Sequence, residues 1–237
     1  MTMRASSGSM AVVSSTPAFG VRFHSASVPG IYGRDEFRVA LLVKRVLDLT
    51  AASLLLLLSL PLLALSMLAI RVTNAGPVLF RQRRVGLNGA EFTMYKLRTM
   101  SEDAEQLEPA LAAQRPGRVF FKKHSDPRVT FVGKWLRKYS IDEIPQFINV
   151  VLGDMSLVGP RPLLSSDWQN FPRDRRRRRI TMKPGLTGLW QVNGRSLCSD
   201  DERMRLDVEY VEHWSLTLDL KILLRTPTTV LTARGAC

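Results

Sequence analysis

The chain has 237 residues, of which 45% are hydrophobic, and its formal net charge is +13. This length has room for one medium domain and a smaller unit, and the composition excludes a chain that is disordered throughout. The excess of Lys and Arg indicates an anionic partner: nucleic acid, a phosphorylated small molecule or an acidic lipid surface. Two cysteines, Cys198 and Cys237, lie in no CxxC motif. We therefore expect a reducing compartment and neither a zinc site nor a disulfide framework.

The N-terminal segment gives little sign of regular structure. Residues 1–35 are rich in Ser, Ala, Gly and Val without a clear period. No apolar stretch with a small-residue cleavage site follows Met1, so we expect no secretory signal. We predict a flexible tail over residues 1–40, a membrane helix over 41–72 and one further domain over 73–237.

The predicted membrane helix contains the uncharged stretch LTAASLLLLLSLPLLALSMLAI, from Leu49 to Ile70. One straight helix of this length extends about 33 Å, enough to cross a hydrocarbon core of about 30 Å, so a transmembrane helix is one interpretation. Pro61 near the middle removes one helical hydrogen bond, and the hydroxyl of Ser59 can satisfy a freed group. These two residues permit a sharp bend.

Basic residues flank the apolar stretch on both sides, and the positive-inside rule places such residues in the cytoplasm. They are Lys44 and Arg45 before it, and Arg71, Arg81, Arg83 and Arg84 after it. A re-entrant helix that bends at Pro61 and returns to the face it entered from places both flanks in the cytoplasm. From the residues alone, this re-entrant helix and a kinked spanning helix are alternatives of equal weight.

The segment after the membrane helix contains a β-hairpin signal. Asn88-Gly89 is a strong turn dipeptide, so we predict strands over Val78–Val85 and Glu91–Tyr95. Nearer the C-terminus, DDERMRLDVEYVEHWSLTLDLKILLRT predicts one or two helices whose apolar face packs a core or lies on the bilayer surface. The expected fold class is α+β and helix-rich, with a small β-hairpin.

The stretch SIDEIPQFINVVLGDMSLVGPRP begins at Ser140 and places two adjacent carboxylates, Asp142 and Glu143, among apolar residues. One interpretation is structural: Ser140 and Glu143 fit the S-x-x-E capping box at a helix start. The other is chemical. Glu143 would hold Mg²⁺, which takes one or two carboxylates together with substrate phosphates, and Asp142 would attack phosphorus as a nucleophile.

Several cations occur around the acidic pair, and Arg side chains bind phosphoryl oxygens with forked hydrogen bonds. They are Arg137, Lys138, Arg161 and Lys183. A pair of carboxylates surrounded by cations favours a reaction at phosphate over a purely structural cap, although Glu143 can serve both purposes.

The run of five arginines in FPRDRRRRRI has three interpretations. It is a solvated basic surface, a contact with anionic membrane lipids, or a nucleic-acid contact. The third is disfavoured because no aromatic-interleaved recognition motif lies near it, and we expect no nucleic-acid partner. Trp168, Trp190 and Trp214 are either interfacial anchors or core residues.

Several blocks occur in a characteristic order between Lys44 and about Gly235: KRVLDL, AGPVLFRQRRVG, YKLRTM, DPRVT, SIDEIPQFINVVLGDMSLVGPRP, KPGLTGLWQVNGRS and LDVEYVEHWSLTLDLKILLRT. In these blocks the chain resembles the bacterial sugar transferases, the monotopic polyprenyl-phosphate phosphoglycosyl transferases that initiate exopolysaccharide and glycan assembly. The resemblance implies a re-entrant helix hairpin, interfacial amphipathic helices and a catalytic domain on the cytoplasmic face of the bacterial inner membrane. In the family the hairpin breaks at a Ser-Pro step, whereas here Leu60 separates Ser59 from Pro61.

The resemblance also implies a reaction, in which a sugar-1-phosphate passes from a UDP-sugar to undecaprenyl phosphate and UMP is released. It implies that Asp142 is the nucleophile of a ping-pong mechanism through a covalent intermediate, and that Glu143 binds Mg²⁺. The remaining substrate-binding positions that match the family are Lys96, Arg137, Arg161 and Asp207.

The alternative function is a non-catalytic, membrane-anchored scaffold of a glycan-assembly complex. The intact set of Asp142, Glu143, Arg137 and Arg161 argues against it, because a non-catalytic homologue has no chemical need for these residues. Anionic membrane lipids are expected partners in either case. The sequence leaves open which sugar is transferred and whether the chain forms a homo-oligomer.

Overall fold

The computed structural model describes most of the chain after the predicted tail: residues 33–107 except 75 and 105, 126–194 except 170 and 171, and 198–232. Most of the tail predicted over 1–40 therefore lies outside the described residues. The described part is a helix-rich α+β fold with one long apolar N-terminal helix and a small β-hairpin, which confirms the predicted fold class.

Helix α1 spans Arg34–Thr73 and begins seven residues before the predicted boundary at 41. Its first turn carries Asp35 and Glu36, whose negative charges favour the positive end of the helix dipole. Among the described residues, α1 is the one helix whose length and composition are sufficient to cross a membrane.

Pro61 lies inside α1 without dividing it into two assigned helices, so no loop separates the two predicted arms. The hydroxyl of Ser59 donates to the carbonyl of Leu56 at 2.9 Å. Pro61 has no amide N–H, so the carbonyl of Leu57 loses its usual helical donor. The Ser59 hydroxyl bonds to the carbonyl of Leu56 and therefore does not replace that donor.

Both ends of α1 pack against the same domain. Phe37, Ala40 and Ala52 join the main hydrophobic core, where the ring of Phe37 meets that of Trp214 edge to face at 5.5 Å. Further along, Ile70 packs with Leu97 and Leu136 in a second cluster, which also includes Leu63 and Met67. Between the two contacts the helix exposes its leucines, among them Leu54, Leu57, Leu58 and Leu60.

Polar residues of the KRVLDL block attach α1 to the domain. The ammonium group of Lys44 donates to a carboxylate oxygen of Asp219 at 2.6 Å and to the carbonyl of Val158 at 2.9 Å. Arg45 donates to two backbone carbonyls at the C-terminal end of a short helix, and Asp48 accepts the amide of Leu157 at 3.0 Å. Lys44 and Arg45 therefore bind the domain that follows α1, in addition to flanking the apolar stretch.

The predicted β-hairpin is confirmed. Strand β1 spans Leu79–Val85 and pairs antiparallel with β2, which spans Glu91–Leu97. A short 3₁₀ turn at Leu87–Gly89 connects them, and Asn88 adopts a left-handed conformation with φ of 55°. Asn tolerates this region better than most residues, which explains why the Asn-Gly signal located the turn.

The acidic motif lies between two short helices. Helix α2 spans Phe131–Lys138, a 3₁₀ turn spans Ile141–Glu143, and helix α3 spans Gln146–Leu152. Strand β3, Ser156–Val158, follows and pairs in parallel with β4, Gly185–Thr187. The motif is therefore held between the hairpin and this second, smaller sheet.

The C-terminal part is helical. Its helices are α4 over Ser165–Gln169, α5 over Arg173–Arg179, α6 over Leu189–Val192, α7 over Asp200–Glu212 and α8 over Leu216–Leu231. The predicted one or two helices near the C-terminus are thus α7 and α8. Helix α7 begins with a capping box between Ser199 and Glu202.

The arginine run forms α5, and much of it binds protein. Arg175 and Arg178 form ion pairs with Asp201 and Glu212 of α7. Arg179 is buried against α7, and Arg176 stacks over the ring of Trp168 at 5.7 Å. The interpretation of the run as a solvated basic surface is wrong for the buried Arg179, which attaches α5 to α7. It holds for Arg178, whose side chain is 59% exposed although it pairs with Glu212.

We expect Lys44→Met to destabilise the protein by about 3–5 kcal/mol, because it leaves the carboxylate of Asp219 buried without its cation. Thermal unfolding of the detergent-solubilised protein measures this. The matched control is Arg38→Met on the same helix, whose ion pair with Asp35 is exposed and is worth at most about 1 kcal/mol. Equal losses in the two variants would contradict a stabilising role for the buried pair.

Candidate active site

Asp142 and Glu143 lie on the 3₁₀ turn between α2 and α3. Ser140, which precedes the turn, adopts a left-handed conformation (φ 57°, ψ 23°), and its side chain makes no capping hydrogen bond. A capping Ser needs an extended backbone to bring its hydroxyl over the amides of the first turn. The capping-box interpretation of Ser140 and Glu143 is therefore wrong.

Glu143 is the point at which two parts of the fold meet. Lys96, near the end of β2, donates to its Oε1 at 2.8 Å, and Arg161, in the turn after β3, approaches the same oxygen at 3.5 Å. These side chains are 17–22% exposed, so the ion pairs are partly shielded from water and remain accessible to a ligand. The structure thus brings together three of the predicted site residues.

Asp142 is buried beside this cluster, with 8% of its surface exposed. Burial raises the pKa of the Asp142 carboxyl, and the negative charge of Glu143 raises it further. The positive charges of Lys96, Arg137 and Arg161 oppose both effects and favour the carboxylate. A poorly hydrated carboxylate among cations has the character of a nucleophile that is ready to react with an anionic group.

Arg137 reaches the site from α2. Its Nε donates to the hydroxyl of Thr99 at 2.8 Å, directly after the strand that carries Lys96. Helix α2 can lie this close because Gly133 has no side chain: a Cβ there would lie 2.1 Å from the carbonyl oxygen of Thr99. Gly133 thus sets the distance between α2 and β2, and with it the position of Arg137.

Asn149 is a supporting residue that the sequence analysis did not identify. Its amide nitrogen donates to the carbonyl of Thr93 at 2.7 Å, and its amide oxygen accepts the N–H of Tyr95 at 3.1 Å. Asn149 is fully buried on α3. Its side-chain amide makes the two hydrogen bonds to β2 that the backbone of a neighbouring strand would make. This pairing sets the position of Lys96 relative to Glu143. The sequence signal was a polar residue inside the apolar run FINVV.

Asp207 lies behind Arg161 in a buried ion pair. Arg179 donates to Oδ2 of Asp207 from Nε at 2.9 Å and from Nη2 at 2.6 Å, and Nη2 also donates to the backbone carbonyl of Arg161. Burial raises the pKa of the Asp207 carboxyl, and the Arg179 guanidinium opposes this. The predicted acidic site residue therefore acts on the backbone of Arg161 through Arg179, a residue that the sequence analysis treated only as part of the basic run.

Two cations that the sequence grouped with the acidic pair lie elsewhere. Lys138 stacks over Trp135 and Tyr139, at 5.3 Å from each ring. Lys183 faces Arg45 near the end of α3, where a Cβ on Gly153 would lie 3.5 Å from the Lys183 ammonium group.

The carboxylates suit a magnesium ion. Among the described residues no three His, Cys, Asp or Glu side chains are grouped in a way that could hold a metal by themselves. Mg²⁺ commonly takes one or two carboxylate oxygens and completes its coordination with water and substrate phosphates. Glu143 therefore supplies one fitting carboxylate, provided that water and a phosphorylated substrate contribute the rest.

A family model described as bacterial sugar transferase matches residues 39–233. The chain belongs to this family. The match includes α1 from residue 39 onwards, the acidic turn and every residue of the site described above. The predicted membership in a family of sugar-transferring enzymes is thereby confirmed.

Individual relatives of this sugar transferase match the same region. Galactosyl transferase CpsE of Streptococcus agalactiae serotype III (strain NEM316) is 45% identical over 199 residues, which cover 83% of this chain and 44% of the relative. A UDP-glucose:undecaprenyl-phosphate glucose-1-phosphate transferase of Caulobacter vibrioides (strain ATCC 19089 / CIP 103742 / CB 15) is 45% identical over 209 residues, covering 84% and 74%. The exopolysaccharide production protein ExoY of Rhizobium meliloti (strain 1021) is 39% identical over 200 residues, covering 82% and 88%. The chain thus spans less than half the length of the first relative and most of the other two.

We expect Asp142→Asn to raise the melting temperature of this sugar transferase at neutral pH. Because burial raises the pKa of Asp142 in the folded state, ionisation of this carboxyl costs stability, and the cost is complete only above the folded pKa. The advantage of Asn should therefore shrink as the pH falls through that pKa and vanish when the carboxyl is protonated in both states. Melting temperatures from about pH 4 to 8 measure this; an advantage independent of pH would contradict it.

Proposed function

We propose that the chain transfers a sugar-1-phosphate from a UDP-sugar to undecaprenyl phosphate and releases UMP, the first membrane step of polysaccharide or glycoconjugate synthesis. The observation that carries the proposal is the buried Asp142 beside Glu143, which is itself held between Lys96 and Arg161. A relative with 45% identity is named for a reaction of this type.

The first half-reaction begins at Asp142. One of its carboxylate oxygens attacks the phosphorus that carries the sugar, a new P–O bond forms, and the bond to the UMP oxygen breaks with its electron pair leaving on UMP. The enzyme then holds the sugar-phosphate as an acyl phosphate on Asp142. In the second half-reaction an oxygen of undecaprenyl phosphate attacks the same phosphorus, and the electron pair of the breaking bond returns to Asp142.

The cations around Asp142 make this attack feasible. Nucleophile and substrate are both anionic, so their approach is opposed by charge repulsion unless fixed positive groups offset it. The positive charges of Lys96, Arg137 and Arg161 oppose the rise in the pKa of Asp142 that burial causes, and they would neutralise the phosphoryl oxygens of a bound substrate. Mg²⁺ held by Glu143 would add neutralisation of those oxygens when bound. Glu143 keeps Lys96 and Arg161 in position before the substrate binds.

The packing of α1 supports a re-entrant helix. Ala52 contacts the main core and Leu63 contacts the second cluster, so the stretch without contact to the domain extends for only about 16 Å along the helix. A hydrocarbon core of about 30 Å cannot fit between two contacts with a domain that stays in water. We propose a bend near Pro61, with both ends of α1 on the same face of the membrane. The basic residues that flank the apolar stretch favour the cytoplasmic face of the bacterial inner membrane.

Two further helices have the character of interfacial helices. On α2, which packs beside the second half of α1, Phe131 is 78% and Trp135 is 52% exposed, next to lysines that suit anionic headgroups. On α8, exposed leucines lie on one side, with 57% to 73% of their surface accessible: Leu220, Leu224 and Leu231. Immersion of these side chains would place Asp142 near the depth of a lipid phosphate.

The distinguishing experiment measures UMP release by the purified protein in nanodiscs, with Mg²⁺, undecaprenyl phosphate and one UDP-sugar at a time. We expect release with at least one donor, and a loss of about three orders of magnitude or more in Asp142→Asn. Without undecaprenyl phosphate, a covalent intermediate should give one equivalent of UMP per active site. The matched control is Asp35→Asn, which changes an exposed carboxylate on α1.

The outcomes separate the alternatives. No UMP from any donor, with folded and membrane-bound protein, would favour the scaffold. Activity without the single equivalent of UMP would indicate direct transfer between the two substrates rather than a ping-pong mechanism.

The topology of α1 can be tested independently of activity. In a background with Cys198→Ser and Cys237→Ser, we expect Gly33→Cys and Asn74→Cys both to react with a membrane-impermeant maleimide in inside-out vesicles and neither in right-side-out cells. Leu58→Cys, at the exposed middle of α1, serves as the bilayer-buried control and should react in neither. Reaction of the two end positions from opposite sides would establish a spanning helix instead.

A further inference from the structure

Trp190 lies directly behind the cation cluster of the site. The guanidinium of Arg161 stacks on its indole ring at 5.7 Å from the ring centroid, and the guanidinium of Arg203 contacts the same ring at 5.2 Å. Trp190 is 4% exposed and lies on α6. Arg161, which faces Glu143, therefore packs on the buried ring of Trp190.

The backbone around Trp190 is built to keep this contact. The N–H of Gly159 donates to the carbonyl of Thr187 at 2.9 Å, and the N–H of Gly185 donates to the carbonyl of Pro160 at 2.8 Å. Gly188 packs so closely that a Cβ there would lie 2.4 Å from the carbonyl oxygen of Gly159. These contacts hold the start of α6 against the turn that carries Arg161.

The polar atom of Trp190 does not explain why an indole occupies this position. Its Nε1 is buried and has no hydrogen-bond partner among the described residues. An unpaired buried N–H costs stability, and an atom without solvent access cannot be reached by a ligand unless the site rearranges. The contribution of Trp190 to the site is therefore its ring, whose electron-rich face attracts the Arg161 guanidinium.

We propose that Trp190 is a positioning residue, which orients Arg161 towards Glu143 and the incoming phosphoryl group. The backbone of Arg161 is held by Arg179, and its side chain is held by Trp190. Arg203 contacts the same indole and pairs with Asp200 at 3.6 Å, so it helps to hold the ring in place. This inference rests on the proposed transfer reaction.

The test compares Trp190→Phe with Trp190→Leu in UMP release. Phe keeps an aromatic face and Leu does not, so we expect Phe to retain most of the wild-type kcat and Leu to lose about 3- to 30-fold, the range for a desolvated cation–π contact. The KM for the UDP-sugar should change by less than about two-fold, because the ring does not touch the donor. A general folding defect would not lower kcat in Trp190→Leu, leave KM unchanged and spare kcat in Trp190→Phe.

The matched control is Trp168→Leu, which removes a Trp–Arg stack of the same length, to Arg176, that does not lead to Glu143. Its kcat should stay near wild type. Equal kcat in Trp190→Phe and Trp190→Leu, or an equal loss in Trp168→Leu, would overturn the proposal.

A second readout does not depend on catalysis. In protein labelled with ¹⁵N-arginine, the side-chain resonance of Arg161, assigned with Arg161→Lys, should lose its ring-current shift in Trp190→Leu and keep most of it in Trp190→Phe. An unchanged resonance in Trp190→Leu would show that the stack does not form, which also overturns the proposal. Absence of UMP release from the wild type with a normal ring-current shift would instead contradict the proposed reaction and leave the stack in place.

Discussion

The buried ion pair between Lys44 and Asp219 connects α1 with the two C-terminal helices and with β3. Asp219 on α8 also accepts from the hydroxyl of Tyr210 at 2.6 Å and the indole N–H of Trp214 at 3.1 Å, and Lys44 and Tyr210 both donate to the carbonyl of Val158. Burying two charges is unfavourable unless they are paired and further hydrogen-bonded, and here each has additional partners. The result is a single point that joins the membrane helix, the C-terminal helices and the strand that precedes Arg161.

The catalytic geometry follows from a second meeting point, the carboxylate of Glu143. Lys96 comes from the hairpin and Arg161 from the turn after β3, so neither element could shift without losing its ion pair. Each cation is held from behind as well: Asn149 holds the strand that carries Lys96, while Arg179 holds the backbone of Arg161. A preorganised group of cations reduces the reorganisation needed when an anionic substrate arrives, which is how electrostatic catalysis is generally achieved.

The arginine run illustrates how charge is used in a strongly basic protein. Arg179 attaches α5 to α7 through a buried pair with Asp207. Arg175 and Arg178 pair with α7 at the surface, where ion pairs contribute little to stability. Exposed positive charge is spread over the described residues: it lies near both ends of α1 at Arg34, Arg38 and Arg71, in the run itself at Arg177, and on α8 at Lys221 and Arg225. Similarly, Trp190 and Trp214 are core residues, and the exposed indole is that of Trp135, which the sequence did not distinguish.

Local features of the sequence were sufficient for much of the fold and drew attention to the acidic pair of the candidate site. Three features can be recognised from the sequence: the uncharged stretch, the Asn-Gly turn and the acidic pair. Each depends on properties of a few neighbouring residues, namely hydrophobic length, backbone preference and charge. Local sequence did not determine which cations reach Asp142 and Glu143, because Lys96 and Arg161 come from distant parts of the chain while the adjacent Lys138 lies over an aromatic pair. The family resemblance named Lys96 and Arg161, and tertiary structure brings both to Glu143. Tertiary structure also decided the roles of Asn149, Arg179 and Trp190. The local sequence around such a residue is the same whether its side chain fills the core, forms an ion pair or holds a site residue in place. Such roles depend on contacts between residues far apart in sequence, and only packing determines those.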